Sequence, residues 1–220
     1  MTRLLALVMM MACASAPPQR VVLNYVKAEQ TRDYDKAHDL LTTSDQRARP
    51  LAAFVKEHLA AGPIWLALAE TTRFEVVGVE EIDADRATVT LVAEHPTAEA
   101  LQTRLISAPR YLTQLDGADL QVAAWLAASV RDTPAPMVLE TLSYTVRQDD
   151  NRWRLWLGLD LQDQAIMHFE AVRSAIDTSN EDAARKALAD LSAASEDPGG
   201  VVHALRSEAQ KMVQQRFDAP

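Results

Sequence analysis

Only one cysteine, Cys13, occurs in the 220 residues, so no internal disulfide is available and the fold must rest on its packed core. Glycine is scarce, at six, and no Gly-rich phosphate loop is among them. No Gly-x-Ser-x-Gly elbow appears, which removes a common nucleophile signature. His38, His58, His95, His168 and His203 are scattered, with no His-x-x-x-His or Glu-x-x-His spacing, so neither a metal nor a cofactor is expected. Basic residues are also short: 22 Lys plus Arg face 31 Asp plus Glu, a formal charge of −9. That balance argues against nucleic acid and against electrostatic attachment to anionic lipid. The leading apolar run, Leu4 to Met11, falls well short of the roughly 20 residues that span a bilayer as a helix.

What the first residues do contain is a processing signal. Arg3 supplies a positive n-region, Leu4 to Met11 an apolar h-region, and Ala12 a small residue before Cys13. Met10-Met-Ala-Cys13 resembles the lipobox of bacterial lipoprotein precursors, with Met10 and Met11 standing where that family has leucine and a small residue. The resemblance implies cleavage before Cys13, a diacylglycerol on its thiol and a third acyl chain on its amine. Each buried methylene contributes about 0.8 kcal/mol, so two or three chains hold firmly where one holds marginally. Ala14 follows in place of aspartate, which implies the periplasmic face of the outer membrane rather than the inner membrane. A plain secretory signal, cut at Ala12-Cys13-Ala14 or Ala14-Ser15-Ala16, is the alternative and leaves a soluble periplasmic protein. Loss of Arg3 with the signal takes the charge to 21 minus 31, or −10.

Downstream the hydrophobic period changes four times. Helical spacing predicts a helix from Pro17 or Gln19 through Val22, Tyr25, Val26 and Glu29. A second has Asp33 as its cap and Tyr34, Ala37, Leu40 and Leu41 on one face. Thr42-Thr-Ser-Asp45 is expected to break it, and a third helix runs from Pro50 through Phe54 and Leu59 to Gly62-Pro63. Ile64–Ala69 is ambiguous between a helical turn and a lead-in to a strand.

Period two then predicts a hairpin, with Phe74, Val76 and Gly78 on one face and Ala87, Val89, Leu91 and Ala93 returning after Asp83-Ala-Asp85. Residues 97–131 read as helical. A second hairpin pairs Leu142, Tyr144 and Val146 with Trp153, Leu155, Leu157 and Leu159 across Gln148–Asn151. Arg152, Arg154 and Trp156 take its other face. From Asp160 the period is 3.6, giving three helices: one with Ile166, Phe169, Val172 and Ile176, one capped at Ser179 or Asn180, and one from Asp197-Pro198. Asn180–Leu188 looks like a tetratricopeptide-style helix, but no second copy of about 34 residues exists.

The order helices, hairpin, interruption, aromatic-rich hairpin resembles the nuclear-transport-factor-2-like (cystatin-like) superfamily, and in particular its small bacterial lipoproteins. Tyr25-Val-Lys-Ala-Glu, Asp33-Tyr-Asp-Lys-Ala-His-Asp-Leu-Leu and Asn151-Arg-Trp-Arg-Leu-Trp-Leu-Gly-Leu carry the likeness. It implies an α+β fold, with N-terminal helices packed on a curved antiparallel sheet of about four strands. The expected organisation is a signal peptide over 1–12, a lipidated tether over 13–19, and the α+β domain over 20–159 with its helical insertion at 97–131. A C-terminal three-helix segment follows over 160–220.

In that superfamily the cup between sheet and helices is often a ligand pocket, which sets the functional expectations. The first is a non-enzymatic cell-envelope lipoprotein that binds a protein partner or small apolar ligand, with Trp156, Tyr144 and Trp65 lining the contact. Its C-terminal helices offer a partner surface, and dimerisation through the open sheet is a further expectation. The second is an isomerase- or dehydratase-like enzyme using His38, Asp35 and Tyr34 as its acid–base set. The third is a purely structural envelope component.

Overall fold

The computed structural model describes residues 16–109, 118–193 and 200–218. The first fifteen residues, Cys13 among them, and the expected Asp197-Pro198 helix start lie outside the described residues. Five helices open the described chain. Two prolines pre-set φ for α1 (Pro18–Gln30), which buries Val21, Val22, Tyr25, Val26 and Ala28. Asp33 caps α2 (Tyr34–Asp39) by accepting from Lys36 N at 3.3 Å. The Thr42–Asp45 stretch, expected to be a break, instead starts α3 (Thr43–Ala48), with Thr42 Oγ1 accepting from Asp45 N. A Ser/Thr cap ends one helix and begins another with the same chemistry, which is why the run was open to both outcomes. Pro50 stands at the cap of α4 (Leu51–Leu59), and the ambiguous Ile64–Ala69 segment belongs to α5 (Gly62–Thr71).

The sheet is a four-stranded antiparallel meander, β1 (Arg73–Asp83), β2 (Arg86–Pro96), β3 (Met137–Asp149) and β4 (Arg152–Trp156), in chain order. Its second turn is Asp150-Asn151, both at positive φ (51° and 60°), the two-residue turn whose twist suits a tight hairpin. One register expectation fails. A shift between Val76 and Gly78 inserts an extra residue, so Val79 pairs with core-facing Val89 and Gly78 with Thr90. The bulge reverses the parity that strict alternation assigns to Gly78 and Val79.

The second hairpin also ends early. β4 stops at Trp156, and Leu159 opens α8 (Leu159–Asp177) instead of returning on the strand. Gly158 takes a left-handed conformation (φ 65°) and turns the chain out of the sheet. Asp45, fully buried, holds that turn: its Oδ2 accepts from Leu157 N and its Oδ1 from Leu159 N, both at 2.7 Å. Thr42 Oγ1 donates to Oδ2 as well, at 2.9 Å.

Three hydrophobic cores result. The first joins α1, α2 and α4 to the inner face of the sheet, with Val22, Tyr25, Leu41 and Phe54 against Ala87, Val89, Leu91, Val146 and Leu155. The second joins α5 to the insertion helices α6 (Ala98–Ile106) and α7 (Asp119–Asp132) through Leu66, Leu68, Leu101, Val122 and Leu126. The third lies among α8, α9 (Glu181–Ser192) and α10 (Val201–Phe217), through Val172, Ala184, Leu191, Val202 and Ala209. The chain is therefore α+β, with ten helices and four strands among the described residues. Arg49 clamps the third core to the first, its guanidinium gripping Asp163 of α8 in a two-toothed ion pair and Glu57 of α4 at 2.9 Å.

Candidate functional site

The early end of β4 leaves a gap beside the first half of β3. A cleft of about 590 Å³ occupies it, with Thr141 to Thr145 along one wall and Tyr25, Phe54, Glu57 and His58 along another. Trp156, Leu157, Leu159, Gln162 and Gly200 close its end. Two of the aromatic residues expected to contact a ligand, Trp156 and Tyr144, line this one cleft. Trp65 does not: it is 64% exposed on α5 and borders a separate small hollow with Tyr34, Glu29 and His58. Two further clefts of similar size lie elsewhere, one beside Ala16, where the tether enters, and one between Glu70, Arg73 and Arg131.

Trp156 lies on the face opposite the main core, as its alternation with Leu155 requires. It is nonetheless buried, 6% exposed, and the Arg147 guanidinium stacks 3.2 Å from its ring centroid. Arg147 pairs with Arg154 and Trp156 with Thr145, so Arg147 and Trp156 are diagonal neighbours on one face. A delocalised cation on an indole face is favourable and shields that face of the ring.

At the inner wall the chain gathers a set of polar groups that no motif announced. His58 Nδ1 donates to Phe54 O at 2.8 Å, and Nε2 faces Glu29 Oε2 at 3.2 Å. Burial lowers the imidazole pKa, yet the Glu29 carboxylate and the Phe54 carbonyl outweigh it, and the net shift is upward. Around the pair stand Tyr25, Tyr34 and Tyr144. Burial first, then the Glu29 charge, raises each of the three phenols, Tyr144 to about 12. The other Glu29 oxygen, Oε1, is buried with no partner among the described residues. Only the one-turn spacing of Tyr25 and Glu29 hinted at this cluster; His58 comes from a different helix, and its approach is tertiary.

The pair makes a pH prediction. A raised imidazole pKa contributes stability fully below the unfolded midpoint near 6.5, and that contribution is lost as pH rises through the higher folded midpoint. The His58 ring protons are therefore expected to titrate above 6.5 by NMR, and unfolding free energy to fall across that interval. Glu29→Gln is expected to bring the midpoint down and flatten the slope.

The acid–base set expected from sequence is not gathered in one pocket. Asp35 is exposed on α2. His38 is half-buried, its Nε2 bonded to Arg49 O at 2.8 Å and its ring edge-on to Phe54. Tyr34 is buried against His58, with ring centroids 5.3 Å apart. Tyr34 and His38, one turn apart, both face α4, while Asp35 is turned to solvent. Among the described residues no three His, Cys, Asp or Glu side chains converge as metal ligands. A scan against known protein families, a search of curated proteins and a search of solved structures each return no match.

Proposed function

We propose that this chain is a cell-envelope lipoprotein whose folded body is a non-enzymatic binding module. It takes a protein partner or small apolar ligand in the cleft beside β3. The observation that carries the reading is that cleft, which sets Phe54, Leu142, Tyr144 and Trp156 around one cavity. Apolar and aromatic walls with a few fixed polar groups are the ordinary lining of a ligand site. The His58–Glu29 pair has both ring nitrogens engaged within the protein, which suits a rigid wall better than proton transfer. No single helix among the described residues is long and apolar enough to cross a membrane.

Attachment and binding are separately testable. Cys13→Ser is expected to abolish palmitate incorporation and to move the protein from the membrane to the soluble fraction of its host, and globomycin should accumulate the uncut wild-type precursor. Processing that ignores both treatments removes the lipid anchor from the proposal. For the cleft, saturable fluorescence enhancement of 1-anilinonaphthalene-8-sulfonate is expected with the folded mature chain. Absence of any saturable uptake would remove the binding role.

A further inference from the structure

Main-chain geometry makes the cleft more specific than its side chains do. β3 has thirteen residues and β4 five, so β4 covers β3 only from Thr145 to Asp149. Leu155 donates to Leu40 O and accepts from Thr42 N, both at 2.8 Å, on the side away from β3. Arg154 and Trp156 therefore aim their main-chain groups at β3, where they meet Arg147 and Thr145. On the opposite side, Gln148 N donates to Asp85 O at 2.8 Å.

The β2–β3 register then runs unbroken from Arg147 to Met137, and carries this alternation along the strand. It leaves the N–H and C=O of Ser143, Thr141 and Leu139 on the side vacated by β4. Among the described residues no strand pairs with that stretch.

Exposed edges are ordinarily blunted by charge, proline or bulges. The far edge of this sheet follows that rule: β1 carries Glu75, Glu80, Glu81 and Asp83, with register shifts at two places. Met137–Ser143 has no bulge, no proline and no basic residue, and its single charge is Glu140. Leu139 there is 73% exposed. The edge from Thr141 onward forms a wall of the cleft between α4 and the starts of α8 and α10. A second copy brings the same Glu140 and the same charge of −9 to its edge, so pairing two copies sets like charges together. A single free strand fits.

We propose that β3 accepts an extended peptide segment of a partner protein as an added antiparallel strand, in line with β4. This deepens the binding-module reading and rests on it. Strand addition takes its affinity from main-chain hydrogen bonds and its selectivity from alternate side chains. A strand opposite Met137–Ser143 spans about 23 Å. Its residue opposite Leu142 turns toward Phe54 and Tyr144 and is apolar. Its residue opposite Glu140, whose carboxylate otherwise faces, among the described residues, only His95 Nε2 at 3.4 Å, is lysine or arginine, in keeping with the chain's charge of −9.

The probe is the synthetic heptapeptide Ser-Val-Thr-Lys-Thr-Val-Ser, with a version carrying glutamate for lysine, against the full mature chain. The expected result is saturable binding with new hydrogen-exchange protection at the amides of Ser143, Thr141 and Leu139. The glutamate peptide should bind at least about tenfold more weakly. Thr141→Pro removes one outward N–H without touching the β2 ladder and should also weaken binding about tenfold, the effect of one main-chain hydrogen bond. If that variant does not fold, the protection pattern in the wild-type chain decides alone. Binding that protects other amides, or no binding by either peptide, overturns the proposal. Peptide failure alongside saturable anilinonaphthalene uptake sinks strand addition while leaving the binding module standing; failure of both sinks both. Concentration-dependent protection of the same amides without peptide makes a second copy the occupant, and also overturns it.

Discussion

Asp45→Ala is expected to lower the unfolding free energy by about 4 kcal/mol, among the largest losses any single exchange in this chain should produce. The residue is fully buried and serves three donors: Leu157 N, Leu159 N and Thr42 Oγ1. Alanine leaves two amides without an acceptor, at about 1–3 kcal/mol each, and the Thr42 hydroxyl with only Ser44 Oγ, 3.0 Å away. It also unpins the turn that ends β4 and starts α8, so the third core loses its fixed approach to the first. Burial pushes the Asp45 carboxyl above its ordinary range, against the pull of the two backbone amides and Thr42. A carboxyl raised by the fold binds its proton more readily folded than unfolded, so acidification does not weaken the protein through this residue. Asp45→Asn keeps one acceptor oxygen but turns an NH2 toward donors, and about half the loss is expected. Urea unfolding followed by circular dichroism measures both, and a change below about 1 kcal/mol for alanine would remove Asp45 from its role as the joint.

Phe54→Ala is expected to cost about 3–5 kcal/mol, the range for deleting a fully buried aromatic side chain. Phe54 is 2% exposed and sits between two imidazoles, with ring centroids 4.1 Å to His58 and 5.5 Å to His38. It belongs to the first core and to the wall of the β3 cleft at once. Alanine therefore opens a cavity on the cleft side, and ligand or peptide binding should weaken with stability. Phe54→Leu retains most of the volume, and about 1 kcal/mol is expected. The Phe54 carbonyl that holds His58 Nδ1 is main chain and survives either exchange. The raised titration of His58 should thus persist in the leucine variant, separating the packing role of the ring from the charge pair.

Much of the fold is legible because it is written in local periods. Val22, Tyr25 and Val26 recur at helical spacing, Ala87, Val89, Leu91 and Ala93 alternate, and Asp33 and Asn180 cap the helices they precede. What escaped the sequence depended on residues far apart in it. The helix at Thr43–Ala48 is capped by Thr42, but its first amide, Thr43 N, is also held by Asp149 at 2.6 Å, across the molecule. Val79 lies on the unexpected face because one bulge reverses parity. Trp156 is buried though it lies on the polar face, where Arg147 stacks on its ring.

The candidate site divides the same way. Tyr144 and Trp156 could be picked out as aromatic residues on a hairpin and Glu29 only by its one-turn spacing from Tyr25, whereas His58 and Asp45 offered no spacing to notice. Sequence alone determined the helical and strand periods, the acidic balance, the single sulfur behind an apolar run and the four-strand count, since each depends on neighbours within a few residues. Tertiary structure decided where β4 stops, which edge of β3 is left open, and which carboxylates are buried with which donors. Those outcomes turn on desolvation and hydrogen-bond geometry between segments a hundred residues apart, as Asp45 and Leu159 are, and no local pattern encodes such meetings.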